Sequence, residues 1–151
     1  MSDVQPLDPQ EMAAWHAMLR SHTAVVRKLE AELQAEHSLS LPAYEVLAHV
    51  SEAPERRLRM SDLTSCARLS PSGLTRLVDK LVRDGLVERV RCADDARVVY
   101  AALTDRGLAR LETAYPTHLR GVRHHVVDRL ERAELEVVAR AMGRLVDDPI
   151  D

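Results

Sequence analysis

The chain has 151 residues, 46% of them hydrophobic, which is enough for one domain with a substantial core. It contains no Phe and a single Trp, so Leu, Val and Ala must build that core, and this favours helices over a β-sandwich or barrel. No signal peptide is visible in the acidic, polar N-terminus, no stretch approaches the roughly 20 apolar residues of a membrane span, and Cys66 and Cys92 do not make a disulfide framework. We therefore expect a soluble cytoplasmic protein without a membrane partner.

Charge is distributed unevenly along the chain. The net charge of −3 by itself argues against a nucleic-acid partner. Between Arg56 and Arg110, however, twelve Arg and Lys residues stand against seven Asp and Glu residues, a local net charge of +5, and the rest of the chain carries −8. A basic middle between acidic ends is typical of a DNA reader joined to a separate acidic module, although a chance fluctuation over such a short stretch would give the same count.

The first predicted helix begins at Asp8 or Pro9 and carries a heptad seam. Its seam residues recur at alternating spacings of three and four over about three heptads: Met12, Trp15, Leu19, His22, Val26, Leu29 and Leu33. A long helix with so narrow an apolar stripe requires a partner helix, from the same chain or from a second copy.

The next elements have weaker boundaries. Ser40, with Pro42 just inside, begins a second helix that should end at Ala53-Pro54. The residues Leu58-Arg59-Met60 form a candidate edge strand. Ser61 is then predicted to cap a small helix that reaches Leu69 and turns its apolar side inward, with Leu63 and Ala67 buried and Cys66 buried and inert.

A well-marked helix follows at Ser70. Ser70 is its predicted N-cap, Pro71 occupies the first helical position, and Gly85 ends the helix. Its predicted buried face consists of Leu74, Leu77, Val78, Leu81 and Val82. Strands are expected from Leu86 to Arg91 and from Val98 to Leu103, joined by a charged hairpin loop.

Two more helices complete the chain. Thr104-Asp105 should cap a long helix that Pro116 kinks or interrupts. The last helix is expected from about Glu131 to Asp147, with a stripe of Leu135, Val138, Ala139, Met142, Leu145 and Val146. The predicted fold class is mainly α with a small β-hairpin wing: a winged helix-turn-helix over residues 37–103, flanked by amphipathic helices over residues 8–36 and 104–147 that are unsatisfied alone.

The helix after Ser70 has the chemistry of a recognition helix. Small polar residues near its N-terminus, Ser72 and Thr75, permit close approach to base edges, and Arg76 is long enough for a bidentate contact with guanine. Lys80 and Arg83 lie further along and are expected at phosphates or at a neighbouring element. The predicted DNA-contacting set is Ser61, Thr64, Ser70, Ser72, Thr75, Arg76, Lys80, Asp95 and Arg97.

The hairpin loop supplies the last two of these residues. Because an extended hairpin places residues i and i+2 on one face, Asp95 is predicted to orient Arg97 for entry into the minor groove. The alternative is a hairpin tip whose charges serve only solubility.

The central segment resembles the multiple-antibiotic-resistance regulator (MarR) family of bacterial transcription regulators. The resemblance rests on LSPSGLTRLVDKLVRDGLVERV at Leu69–Val90, on Asp95-Ala96-Arg97, and on LTDRG at Leu103–Gly107. It implies a homodimer whose two winged domains reach successive major grooves of a pseudo-palindromic operator in double-stranded DNA. It also implies a repressor that a small aromatic or anionic ligand releases from DNA.

The same resemblance implies which helices form the dimer, and it shows which residues of other members are missing from this chain. The dimerisation residues are expected on the first and last helices: Met12, Leu19, Val26, Leu29, Leu135, Val138, Met142 and Leu145. Many members carry a second Arg and a Gly in the wing, where this chain has Ala96 and Val98. The hydroperoxide-sensing members use a Cys in the first helix, which this chain does not have.

Other candidate sites have plainer interpretations. Trp15, His22 and Tyr44 would suit an aromatic acid, but we favour their interpretation as dimer-core or interhelical packing residues. The seven histidines show no metal-ligand spacing, no catalytic constellation is visible, and no cofactor is expected, so we predict neither a metal site nor an enzyme. Two alternatives remain: a winged-helix module for protein partners without DNA binding, and a thiol-based redox regulator acting through Cys92 beside Arg91.

Overall fold

The computed structural model describes residues 4–67 and 69–146, which contain six α-helices and a small antiparallel sheet. The elements in chain order are α1 (Pro9–His37), α2 (Leu41–Glu52), β1 (Arg57–Arg59), α3 (Met60–Cys66), α4 (Pro71–Arg83), β2 (Val87–Arg91), β3 (Val99–Leu103), α5 (Asp105–His125) and α6 (Arg132–Gly143). This arrangement confirms the predicted class, with the edge strand as a third member of the sheet.

Helix α1 begins where the sequence predicts. The Asp8 carboxylate accepts hydrogen bonds from the Gln10 and Glu11 backbone amides at 2.7 and 2.9 Å, and the Glu11 carboxylate accepts one from the Asp8 amide at 2.8 Å. These reciprocal bonds form a capping box, which satisfies donors that the first helical turn leaves unpaired.

The two halves of the α1 seam differ in burial. Leu29 and Leu33, near the C-terminal end, are buried by the chain itself, and Val26 is half-buried. At the N-terminal end Trp15 remains 47% exposed and Leu19 45%, and Met12 is exposed as well. The partner that the seam requires is therefore supplied by this chain only for its second half.

Helix α2 confirms its predicted boundaries. The Ser40 hydroxyl accepts a hydrogen bond from the Ala43 amide at 3.2 Å, and Ala53 is the C-cap. The helix is largely buried and supplies much of the core through Leu41, Ala43, Tyr44, Val46, Leu47 and Val50.

The prediction for the next small helix was partly wrong. Helix α3 ends at Cys66 rather than Leu69, and its N-cap position is occupied by Arg59, so Ser61 lies inside the first turn and caps nothing. The reason is that β1 starts and ends one residue earlier than predicted and runs directly into the helix. Leu63 and Ala67 are buried as expected, but Cys66 is exposed, because it lies on the outer side of this short helix.

Helix α4 is built almost as predicted. The Ser70 hydroxyl accepts a hydrogen bond from the Gly73 amide at 3.1 Å, and Gly85, with φ of 72°, follows the C-cap residue Asp84. This left-handed conformation suits glycine, which has no Cβ to clash. Val82 was expected in the buried face but is 36% exposed, since it lies at the edge of the stripe.

The sheet has the order β1-β3-β2, with β3 in the centre. Leu58 of β1 and Arg89 of β2 lie opposite the buried Ala101 of β3, and Arg59 and Val90 lie opposite Tyr100. The sheet therefore has a core face that contains Ala101 and an outer face that contains Tyr100.

Helix α5 begins with a cap whose two bonds explain the Leu-Thr-x-x-Gly pattern. The Thr104 hydroxyl donates to the Gly85 carbonyl at 2.7 Å and accepts from the Gly107 amide at 2.9 Å. A Cβ on Gly107 would collide with the Leu86 carbonyl oxygen. The start of α5 can therefore approach the turn after α4 only because residue 107 has no side chain.

Of the two outcomes predicted for Pro116, a kink or an interruption, the interruption does not occur. The helix is continuous from Asp105 to His125, with Pro116 exposed on its surface. Contacts on both sides of the proline hold the helix. Ala114 and Thr117 are buried, and the Thr117 hydroxyl donates to Glu36 at 2.8 Å while contacting His37 Nε2 at 2.8 Å. These tertiary contacts outweigh the backbone hydrogen bond that a proline removes.

Helix α6 is shorter than predicted. Glu131 and Glu134 form a capping box at its start, and the helix ends at Gly143, with a turn over the next residues; Asp147 lies outside the described residues. Most of the expected apolar stripe is exposed, including Val138, Met142, Leu145 and Val146.

Two compact units make up the chain. The central unit comprises Glu32–His118, and the terminal unit combines the described residues before Glu32 with those after His118. Across the described residues, none of the helices combines the length and apolar character that crossing a bilayer requires.

Candidate nucleic-acid interface

Helix α4 presents two chemically different faces. Leu74, Val78 and Leu81 are fully buried in the core of the central unit. The other face is exposed and carries the predicted recognition residues Ser72, Thr75, Arg76 and Lys80. A helix anchored by one apolar face and open on a polar face is the arrangement that entry into the major groove requires.

The first turn of α4 is compact and polar. Ser70 uses its hydroxyl to cap Gly73, and this oxygen also lies 3.3 Å from the Ser72 hydroxyl. The Thr75 hydroxyl donates to the Pro71 carbonyl at 2.9 Å, which leaves its oxygen able to accept a bond from outside. Ser70 was predicted as a DNA contact, and in the structure its hydroxyl is engaged in organising the helix end.

The cations of α4 differ in what surrounds them. Lys80 pairs with Asp84 at 2.7 Å, a contact that also lowers the pKa of the Asp84 carboxyl. Asp79 pairs with Arg89 of β2, which ties the helix to the sheet. Arg76 is exposed and makes no hydrogen bond or ion pair to any residue that the structure describes. Its guanidinium therefore keeps all of its donors for a partner.

The two residues predicted on α3 are placed differently. Ser61 is exposed in the first turn. Thr64 is half-buried, and its hydroxyl donates to the Met60 carbonyl at 3.0 Å within the helix. Ser61 is thus the better placed of the two for an outside contact.

The wing loop holds Asp95 and Arg97 together as predicted, but by a different geometry. The Asp95 carboxylate accepts bonds from the Arg97 backbone amide at 3.0 Å and from the side chain at 3.2 and 3.4 Å. The Val98 amide donates to the Asp95 carbonyl at 3.0 Å, so the two residues lie in a tight turn and not on one face of a strand. The Arg97 hydrogen bonds lower the pKa of the Asp95 carboxyl.

The turn leaves Arg97 projecting from the wing. Its side chain is 92% exposed, even with the Asp95 contacts in place. An arginine side chain that a neighbouring carboxylate orients, and that is otherwise exposed to solvent, is suited to insertion into a narrow minor groove.

A basic cluster on the outer face of the sheet was not predicted from the sequence. The Arg57 and Arg59 guanidinium carbons lie 5.2 and 5.9 Å from the centre of the Tyr100 ring, and Glu55 pairs with Arg57 at 2.6 Å. The alternation of Arg, Leu and Arg over residues 57–59 was the available signal, because period-two spacing places both arginines on one face of a strand.

The cysteines do not support a built thiol site. Cys92 is half-buried at the base of the wing, Cys66 is exposed, and neither forms a disulfide bond. Arg91, the residue expected to act on Cys92, lies opposite Val99 of β3 on the core face of the sheet.

A separate cavity of about 360 Å³ opens between α2 and α5 in the central unit. It is lined by Tyr44, Ala48, Ser51, Glu52, Leu108, Leu111, Glu112 and Tyr115. Of the three residues suggested for a ligand pocket, this cavity contains Tyr44 and neither Trp15 nor His22. No group of His, Cys, Asp and Glu side chains among the described residues is arranged to hold a metal ion.

The chain is similar to regulators that share this architecture. A family model described as the MarR family matches residues 37–98. The solved structure of AbsC, a MarR family transcriptional regulator from Streptomyces coelicolor, is 31% identical with a TM-score of 0.88, and the match covers 94% of this chain and 95% of that one.

Two further relatives extend the comparison. Sco3205, a MarR family transcriptional regulator from the same organism solved in complex with DNA, is 30% identical with a TM-score of 0.90, covering 96% of this chain and 91% of that one. The HTH-type transcriptional repressor YetL of Bacillus subtilis is 28% identical over 113 residues, which is 75% of this chain and 67% of that protein.

Proposed function

The chain belongs to the MarR family of transcriptional regulators, and from that premise we propose that it is a homodimeric repressor that binds a pseudo-palindromic DNA operator. Each protomer contributes one α4 helix to a major groove and one wing to the adjoining minor groove. In this proposal Ser72, Thr75 and Arg76 face base edges, and Arg97 enters the minor groove.

The observation that carries the proposal is the contrast between Arg76 and its neighbours. Lys80 and Arg89 are engaged by carboxylates of the same chain, whereas Arg76 projects unengaged from the exposed face of α4. A long, exposed cation without an intramolecular partner, beside small polar side chains, is suited to reading guanine. Sco3205, a relative of similar fold solved in complex with DNA, supports DNA binding as the role of this exposed face.

The proposed dimer rests on the apolar residues that the chain leaves exposed. Met12, Trp15 and Leu19 line the N-terminal half of α1, and Val138 and Met142 line α6. Helices from a second copy would bury both stripes, as the heptad spacing of α1 indicates. Dimerisation would also set the distance between the two α4 helices, which must match one DNA turn of roughly 34 Å.

The proposal also includes repression by the bound protein and relief of that repression by a small ligand. The relative YetL is a transcriptional repressor, and the cavity between α2 and α5 provides room for a small effector. A ligand that favours a dimer whose α4 helices no longer span one DNA turn would release the operator by a population shift. A few kcal/mol of differential affinity suffice for such a switch.

The test is a fluorescence-anisotropy titration of the full chain with the DNA upstream of its own gene, at two salt concentrations and with scrambled competitor DNA. We expect binding that survives the competitor and weakens with salt, because phosphate contacts release counterions. Binding that the competitor abolishes at both salt concentrations would contradict sequence-specific recognition of this DNA, and would favour a module for protein partners.

A further inference from the structure

The cavity between α2 and α5 is lined by a largely buried tyrosine whose hydroxyl has no hydrogen-bond partner among the described residues. The Tyr44 side chain is only 5% exposed and lines the cavity, and its hydroxyl makes no hydrogen bond to any residue in the described ranges. The hydroxyl oxygen itself is not fully buried, so it opens into the cavity. A ligand that occupies the cavity would cover this hydroxyl and must then supply a hydrogen-bond partner, because leaving one unpaired costs free energy.

The rest of the lining defines the chemistry of that ligand. Ala48, Leu108 and Leu111 give the cavity an apolar surface, and Tyr44 and Tyr115 add two aromatic rings. A volume of about 360 Å³ lies at the lower end of the range of roughly 300–1,000 Å³ that small-molecule sites occupy. The size and the rings suit a ligand with one or two fused aromatic rings.

The charge of the lining is entirely negative. Glu52 and Glu112 are the ionisable carboxylates, and the lining contains neither Lys nor Arg. Neither glutamate forms an ion pair within the described residues. His118 stacks on Tyr44, with ring centres 4.4 Å apart, but burial lowers the pKa of this imidazole, so it adds no positive charge at neutral pH. Burial and the neighbouring Tyr115 and Glu52 likewise raise the pKa of Tyr44, which keeps its hydroxyl protonated.

We propose that this cavity binds a small aromatic ammonium compound, with the two glutamates facing its cationic group and the two tyrosines facing its ring. Carboxylates attract the charge, and tyrosine rings stabilise organic cations through their π-faces. This inference rests on the proposed function and narrows its effector from the aromatic or anionic class to the aromatic cations. An aromatic carboxylate would meet two like charges and no cation from the lining.

The test compares three indole probes of nearly equal shape by isothermal titration calorimetry on the full chain without DNA. The probes are tryptamine, which is cationic, indole-3-ethanol, which is neutral, and indole-3-acetate, which is anionic. We expect tryptamine to bind about tenfold more tightly than indole-3-ethanol, and indole-3-acetate to bind most weakly. Equal or tighter binding of indole-3-acetate overturns the proposal, and so does the absence of tryptamine binding.

Matched variants locate the binding. The double change Glu52→Gln with Glu112→Gln keeps the side-chain shapes and should remove most of the tryptamine preference while sparing indole-3-ethanol. Glu88→Gln, an exposed glutamate on β2 outside the cavity, should change neither. Tyr44→Phe should weaken all three probes, because it removes the unpaired hydroxyl that each would engage. An unchanged tryptamine preference in the double variant would place the cation elsewhere and overturn the assignment.

The outcome separates this inference from the proposed function. Operator binding by the same preparation, measured without probes, tests the regulator alone. If operator DNA binds and the probes fail, only the ligand assignment is wrong. If tryptamine binds as expected and no specific DNA binding exists, the regulator proposal is wrong while the cavity assignment stands.

Discussion

At the scale of single residues, the main distinction is between cations that the chain already uses and cations that it leaves exposed. We predict that Arg76→Ala weakens specific DNA binding by roughly 1–3 kcal/mol with little change in stability, because the exposed side chain makes no hydrogen bond or ion pair with any described residue. Lys80→Ala should weaken specific DNA binding by less, since Lys80 already forms an ion pair with Asp84. Anisotropy titrations of both variants check this order, and an unchanged specific affinity for Arg76→Ala would contradict the recognition role.

The wing provides a second residue-scale prediction. Arg97→Lys should retain part of the DNA affinity that Arg97→Ala loses, because lysine keeps the charge but not the fork that Asp95 orients. The test is the salt dependence of binding, whose slope should become shallower by about one for Arg97→Ala and change little for Arg97→Lys. Identical slopes for wild type and Arg97→Ala would show that this side chain makes no phosphate or groove contact.

The pH response of the wing follows from Asp95. Because its folded-state pKa is lowered, the Asp95–Arg97 pairing is fully present above the usual carboxyl pKa and is lost only as the pH falls through that lowered value. We therefore expect the DNA affinities of the wild type and of Asp95→Asn to depend on pH in the same way between pH 6 and 8. Affinities measured across that range for both proteins test this expectation, and a step confined to the wild type would contradict it.

At the scale of elements, a glycine decides how α5 joins the winged domain. Gly107→Ala should lower the free energy of unfolding by roughly 1–3 kcal/mol, because the added Cβ would overlap the Leu86 carbonyl and force the backbone apart. Gly143→Ala is the matched control: it lies at the end of α6 with open space around it, and should be neutral or stabilising by up to about 1 kcal/mol. Urea denaturation of both variants measures the difference, and equal stabilities would show that the close approach of α5 does not constrain the fold.

At the scale of the whole molecule, the exposed half of the α1 seam is the feature that requires a partner. We predict that Leu19→Asp shifts the proposed dimer to monomer at micromolar concentration, because a charge would have to be buried in the apolar interface of that dimer. Ala17→Asp introduces the same side chain at an exposed position off the seam and should leave the dimer intact. Sedimentation velocity distinguishes the two, and a Leu19→Asp protein that stays dimeric would exclude this stripe from the interface. Leu29 is unsuitable for this test, because the chain itself already buries it.

Local signals were sufficient for most of the elements. Ser40, Ser70 and Thr104 mark helix starts that the structure confirms, because each hydroxyl accepts a hydrogen bond from a backbone amide three residues further on, and Gly85 marks the end of α4. Such signals are reliable because a cap or a left-handed residue depends only on neighbours within four positions. The predicted boundary failed at Ser61, where β1 enters the helix directly and no cap is needed.

The sequence by itself determined the fold class, the position of helix α4 and the pairing of Asp95 with Arg97, since each depends on residues close together in the chain. Only the tertiary structure decided which half of the α1 seam stays exposed, that α5 continues through Pro116, and that Arg57 and Arg59 share Tyr100. It alone showed that Tyr44 lines an acidic cavity with Glu52 and Glu112. The physical reason is that burial, charge environment and long-range packing depend on which distant segments come together, and periodicity along one segment does not contain that information.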